Sequence, residues 1–73
     1  MNKTKAIQLH LIENGHITSL EAIELYGATR LSAIIFNLRA RGMNIETTMI
    51  EFTDRFGSKA KYAKYILKEN SNE

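Results

Sequence analysis

Two histidines, a few serines and eight acids are the residues of this 73-residue chain that could do covalent or acid–base chemistry. Their spacing assembles none of it. His10 and His16 lie close in sequence, but no third ligand accompanies them at a metal-binding interval, so both read as surface or packing histidines. Ser19, Ser32 and Ser58 have no histidine–acid arrangement that would activate a hydroxyl. The acids form no close pair among apolar residues, and the four glycines stand singly, so no phosphate-cradling loop is present. The absence of cysteine excludes disulfides and cysteine-ligated zinc. The expectation is a non-enzyme that uses no cofactor and no small-molecule substrate.

What remains is the chemistry of charge and of base edges. From His10 to Tyr26 the chain holds Glu13, Glu21 and Glu24 and no lysine or arginine. From Ala28 to Ile45 it holds Arg30, Arg39 and Arg41 and no acid. From Asp54 to Lys68 it holds Arg55, Lys59, Lys61, Lys64 and Lys68 against Asp54 alone. A net charge of +2 says little by itself, but this segregation is what a phosphate-facing surface requires. The C-terminal run taken alone reads equally well as a solvated basic face.

The acid-free segment must be a helix. Leu31, Ile34, Ile35 and Leu38 recur at i, i+3, i+4 and i+7, one apolar stripe facing a core. The helix is expected from about Arg30 to Arg41, capped by Thr29 and stopped at Gly42. Its other face carries Thr29, Ala33, Phe36, Asn37 and Ala40, mostly small or amide side chains suited to a DNA major groove. Thr29, Ala33 and Asn37 would lie nearest base edges, with Ser32 and Phe36 beside them. Asn37 is the strongest specifier, because its amide can pair with adenine through two hydrogen bonds. Arg30, Arg39 and Arg41 would hold phosphates, and Arg55, Lys59 and Lys61 the flanking backbone or minor groove. Arg39 and Arg41 equally suit the negative end of the helix dipole. Phe36 sits off the apolar stripe and should be covered by the hairpin, a second subunit or DNA; packing against protein is favoured.

The remaining elements would position that helix. A first helix is expected from about Lys3 to Glu13, with Ile7 and Leu11 in the core and Leu9 and Ile12 widening its apolar face. Asn14-Gly15 ends it, and His16-Ile17-Thr18 reads as a short strand docking on a later hairpin. Thr18 and Glu21 form a capping box for a second helix, with Leu20, Ile23 and Ala22 facing inward. Gly27 supplies the turn. From Asn44 to Thr53 the period changes to two and β-branched residues dominate. Asp54 to Lys59 is a turn on Gly57, and Lys61 to Leu67 alternates again, which makes a β-hairpin with a basic tip. Lysine and alanine also permit a helix over 59–68, but the tyrosines and the period favour a strand.

The chain is expected to be one domain over residues 1–68 with a flexible polar tail over 69–73, at a size where core packing or dimerisation must supply the stability. No apolar run approaches the roughly 18 residues of a membrane span, and the N-terminal stretch lacks a signal-cleavage pattern, so a cytoplasmic protein is expected.

Ile17-Thr18, Glu21-Ala22, Gly27, Arg30-Leu31, Leu38-Arg39, Gly42, Ile45 and Tyr65-Ile66-Leu67 together resemble a family. The likeness covers about Ile7 to Leu67 and is to the small winged helix-turn-helix proteins of bacteriophages and prophages. It implies an α+β fold, a three-helix winged helix-turn-helix with a C-terminal β-hairpin wing. It also implies double-stranded DNA as partner, read by the second helix-turn-helix helix. The hairpin is longer and richer in lysine than that pattern requires. Two further partners follow from the residues: a homodimer, through helix one or the hairpin edge, because one recognition helix reads few base pairs, and a host protein complex, if Phe36 and Tyr62 are exposed.

Overall fold

The computed structural model describes residues 2–69. Three helices and three strands follow in the order α1 (Lys3–Asn14), β1 (His16–Thr18), α2 (Ser19–Tyr26), α3 (Leu31–Ala40), β2 (Ile45–Thr53) and β3 (Lys59–Leu67). The strands form one antiparallel sheet in the order β1-β3-β2. Of the polar tail expected over 69–73, residues 70–73 lie outside the described residues.

Local chemistry sets the boundaries. Asn2 caps α1 by accepting the Lys5 amide at 2.8 Å. Gly15 ends that helix at φ +84°, a conformation that costs a residue with a Cβ. Thr18 and Glu21 make both bonds of the capping box: the Thr18 hydroxyl accepts the Glu21 amide, and the Glu21 carboxylate accepts the Thr18 amide. This fixes β1 and α2 back to back, with no residue between them.

Each element contributes to one core. Ile7 and Leu11 of α1, Ile17 of β1, Ala22 of α2, Ala28, then Leu31, Ile35 and Leu38 of α3 meet Ile45 of β2 and Tyr65 of β3. His10 is the one buried polar residue described; its Nδ1 pairs with the Tyr26 hydroxyl at 2.8 Å, the rings edge to face. The sheet is tied to the helices at its root, where the Leu67 amide donates to Gly15 O and the Lys68 amide to Asn44 O, each at 2.8 Å.

Several expectations need correction. Leu20 and Ile23 do not face inward; they are 54% and 49% exposed, and α2 meets the core through the buried Ala22 and the half-buried Tyr26. Ile12 is 58% exposed, so it does not widen the buried face of α1. Helix α3 begins at Leu31 with Arg30, not Thr29, at the N-cap, and no side chain caps it. Ala28 is anchored in the core, so the chain needs one more residue before helical geometry begins. The Arg30 carbonyl, accordingly, accepts the first amides, from Ala33 and Ile34. Lys59 belongs to β3 rather than to the turn.

Candidate nucleic-acid interface

The outward face of α3 is set by what its inward face buries. With Leu31, Ile35 and Leu38 in the core, helical spacing turns Ala33, Phe36 and Ala40 into one outward ridge, all exposed, and Thr29 is exposed in the turn before the helix. Ser32, Phe36 and Arg39 run along one flank of that ridge, and Ala33, Asn37 and Ala40 along the other. No carboxylate interrupts either flank. Phe36 is 71% exposed, so the hairpin, one of the covers expected for it, does not cover it. At the start of α3 the first-turn amides lack a side-chain cap and have Arg30 beside them, an arrangement that favours an anion.

Arg39 joins this face to the hairpin. Its Nε and Nη2 donate to the Ile45 carbonyl at 2.9 and 2.6 Å, and Nη2 also donates to Thr47 Oγ1 at 2.9 Å. The guanidinium therefore holds the root of β2 against the last turn of α3. Strand alternation puts Met49, Glu51 and Thr53 on the same sheet face as Thr47. The pairings Glu51↔Lys61 and Thr53↔Lys59 place both lysines on that face too. Three expected cations, Arg39, Lys59 and Lys61, are thereby brought to one side of the molecule. Glu51 lies 4.0 Å from Lys61 and offsets part of its charge, though both side chains are well exposed.

Other expected site residues are placed apart. Arg41 lies two positions beyond Arg39, roughly 200° round the helix axis. It borders a cleft of about 480 Å³ with Leu11, Ile12, Met43 and Leu67, behind the ridge. Arg55 stands in the hairpin tip. Lys64 is on the opposite sheet face, and Lys68 faces Glu46 at 3.6 Å. Among the described residues no group of three His, Cys, Asp or Glu is placed to hold a metal ion.

The hairpin extends well past the rest of the sheet. β2 and β3 pair from Ile45↔Leu67 to Thr53↔Lys59, whereas β1 covers only Lys64–Ile66. Beyond Ala63 the ribbon projects free. An uncapped, acid-free helix beside such a ribbon is the arrangement of a helix-turn-helix with a wing, and the winged helix-turn-helix domain matches residues 3–70. The chain belongs to the winged helix-turn-helix family. Comparison with curated proteins returns no match. In the terms of the family, α2 and α3 are the helix-turn-helix pair and β2–β3 is the wing. The turn between the helices, residues 27–30, is held by Gly27 at φ +64° and by the Ala28 amide donating to Ala22 O at 2.9 Å.

Two aromatic residues of the wing, Phe52 and Phe56, were not anticipated as site residues, and Tyr62, expected as a protein contact if exposed, is half-buried. Phe52 and Tyr62 pack as a tilted pair, ring centroids 5.6 Å apart, on the face opposite Lys61. Phe56 stands alone in the tip. Its signal was an apolar side chain in a turn whose other residues are polar, DRFGSK. The Arg39–Thr47 bond had no comparable signal, since nothing in an eight-residue separation announces that the chain folds back there.

Proposed function

We propose that this chain is a sequence-specific regulator of the phage type that binds double-stranded DNA. Helix α3 enters the major groove, and the wing lies on the flanking backbone. The observation that carries the reading is Arg39: one guanidinium belongs to α3 and also sets the angle of the wing, whose Lys59 and Lys61 share its side. In this docking Thr29, Ser32, Ala33, Phe36 and Asn37 meet base edges. Asn37 pairs with adenine, while the Phe36 ring meets a thymine methyl. Arg30 and the free amides of the first turn take one phosphate; Arg39, Arg55, Lys59 and Lys61 take others, and Arg41, behind the ridge, takes none in this docking. Two copies then read two half-sites, associating through the Ile12 side of α1 or the free edge of β2. The test is site selection from a random duplex pool. The wild type should enrich a defined motif, and Asn37→Ala should lose preference at one position by about 1–3 kcal/mol; enrichment unchanged by Asn37→Ala would contradict the role given to it.

A second reading is favoured by a specific observation. Leu20, Ile23, Leu25 and Phe36 are all exposed on the helix-turn-helix, more apolar surface than phosphate binding calls for. A winged module docking on a host nucleic-acid or defence complex would use such a surface. Under that reading Phe36→Ala abolishes activity and Asn37→Ala does not.

A further inference from the structure

Among the described residues, the most exposed large apolar side chain is at the very tip of the wing. Phe56 is 86% exposed. Single surface apolar residues are ordinary, but three features set this one apart.

The first is rigidity. Asp54 Oδ1 accepts both the Phe56 and the Ser58 amides at 2.9 Å. The Asp54 amide donates to Ser58 O at 2.8 Å, the Gly57 amide donates to Asp54 O at 3.0 Å, and Gly57 sits at φ +84°. The ring therefore stands on a fixed, internally bonded turn.

The second is charge. The one carboxylate of the tip is turned onto its own backbone amides, and Arg55 precedes Phe56 in the turn while Lys59 opens the strand that follows.

The third is reach. From Thr47, where Arg39 grips the wing, to the strand end at Thr53 is about 20 Å at roughly 3.3 Å per residue. A duplex turn is about 34 Å, so major and adjacent minor grooves are about half that apart. With α3 in a major groove, the tip arrives at the neighbouring minor groove.

We infer that Phe56 is a wedge: it enters that minor groove and partly unstacks one base-pair step, bending the duplex. This rests on the DNA-binding reading above and deepens it. Arg55 and Lys59 hold the phosphates on either side while the ring is inserted. Flexible pyrimidine–purine steps, TA and CA/TG, are the steps that open most easily and are the preferred sites. The wedge thus adds a selectivity at a position α3 never touches.

The experiment uses the full chain and an A·T-rich duplex of repeated TA steps with 2-aminopurine at several adenines, titrated at about 50 mM salt, where backbone binding holds. The wild type should raise the 2-aminopurine fluorescence as it binds, which reports unstacking. Phe56→Ala should bind with the same salt dependence but about tenfold more weakly, and with no fluorescence rise. Phe56→Leu, still an apolar wedge, should restore part of the rise. Binding by the wild type without a rise, or the same rise from Phe56→Ala, would overturn the wedge and leave DNA binding standing. No wild-type binding to any duplex would overturn both. Wild-type binding to anionic phospholipid vesicles that Phe56→Ala loses, with duplex behaviour identical in the two proteins, would assign the tip to a lipid surface and overturn the wedge.

Discussion

Replacing Arg39 by alanine should remove two functions at once, and replacing it by lysine should separate them. The guanidinium makes three contacts, two with Ile45 O and one with Thr47 Oγ1, between 2.6 and 2.9 Å. A hydrogen bond to a charged group is worth about 1.5–3 kcal/mol when well buried. These are partly exposed, and water replaces some of what is lost, so the whole set should contribute roughly 1–2 kcal/mol. In a domain of this size that lowers Tm by about 4–8 °C per kcal/mol. Arg39→Ala should also free the angle between α3 and the wing, weaken binding to all duplexes and reduce the salt slope by about one. Arg39→Lys keeps the charge but not the fork, so it should recover the salt slope and only part of the stability. Urea denaturation followed by far-UV circular dichroism, paired with duplex titrations at several salt concentrations, reads both quantities. The reasoning is refuted if Arg39→Ala stays within about 0.5 kcal/mol of the wild type, the range of an ordinary surface change. It is equally refuted if Arg39→Lys matches the wild type in stability, for then the bidentate contact holds nothing.

Tyr26→Phe removes the one hydrogen-bond partner that the buried His10 ring has among the described residues, where its Nε2 has none. A loss of about 1–3 kcal/mol is expected in chemical denaturation. Thr18→Ala breaks the capping box and should cost about 1 kcal/mol, with faster hydrogen exchange at the Glu21 amide, the one its hydroxyl accepts. Leu38→Ala empties a fully buried site where α3 enters the core. It should cost roughly 2–5 kcal/mol by thermal or urea unfolding.

The parts of this fold that announce themselves locally were legible in the sequence. The Thr18–Glu21 box needs only four consecutive residues, and the alternation of Ile45–Thr53 and of 61–67 needs only a strand's length. Even β1, three residues long, was legible because Gly15 and Thr18 bracket it. Where the reading went astray, it assumed a covering layer. Periodicity shows that Leu20, Ile23 and Ile12 lie on apolar faces, but not whether enough protein exists to bury them. In a chain of this size it does not. Phe36 follows the same rule, since its angle was right and its neighbour absent. Arg39 illustrates the opposite limit. Its charge was visible, but its grip on Thr47 depends on how the chain folds back after Gly42, which no local pattern encodes. The cations can be counted from the sequence and their grouping cannot: strand register, not sequence distance, puts Lys59 and Lys61 on the Arg39 side and Lys64 on the other.

The central claim is that α3 and the wing together form a phosphate-gripping surface. Its most direct test is the affinity of the purified protein for random-sequence duplex DNA across a salt series from about 50 to 200 mM. Arg30, Arg39, Arg55, Lys59 and Lys61 are the cations assigned to phosphates, with Lys61 partly offset by Glu51. About four effective contacts give a log–log slope near −4 and a fall of a hundredfold or more over that range. A flat salt dependence, or no binding at the low-salt end, would contradict the account and turn the exposed face of α3 over to a protein partner.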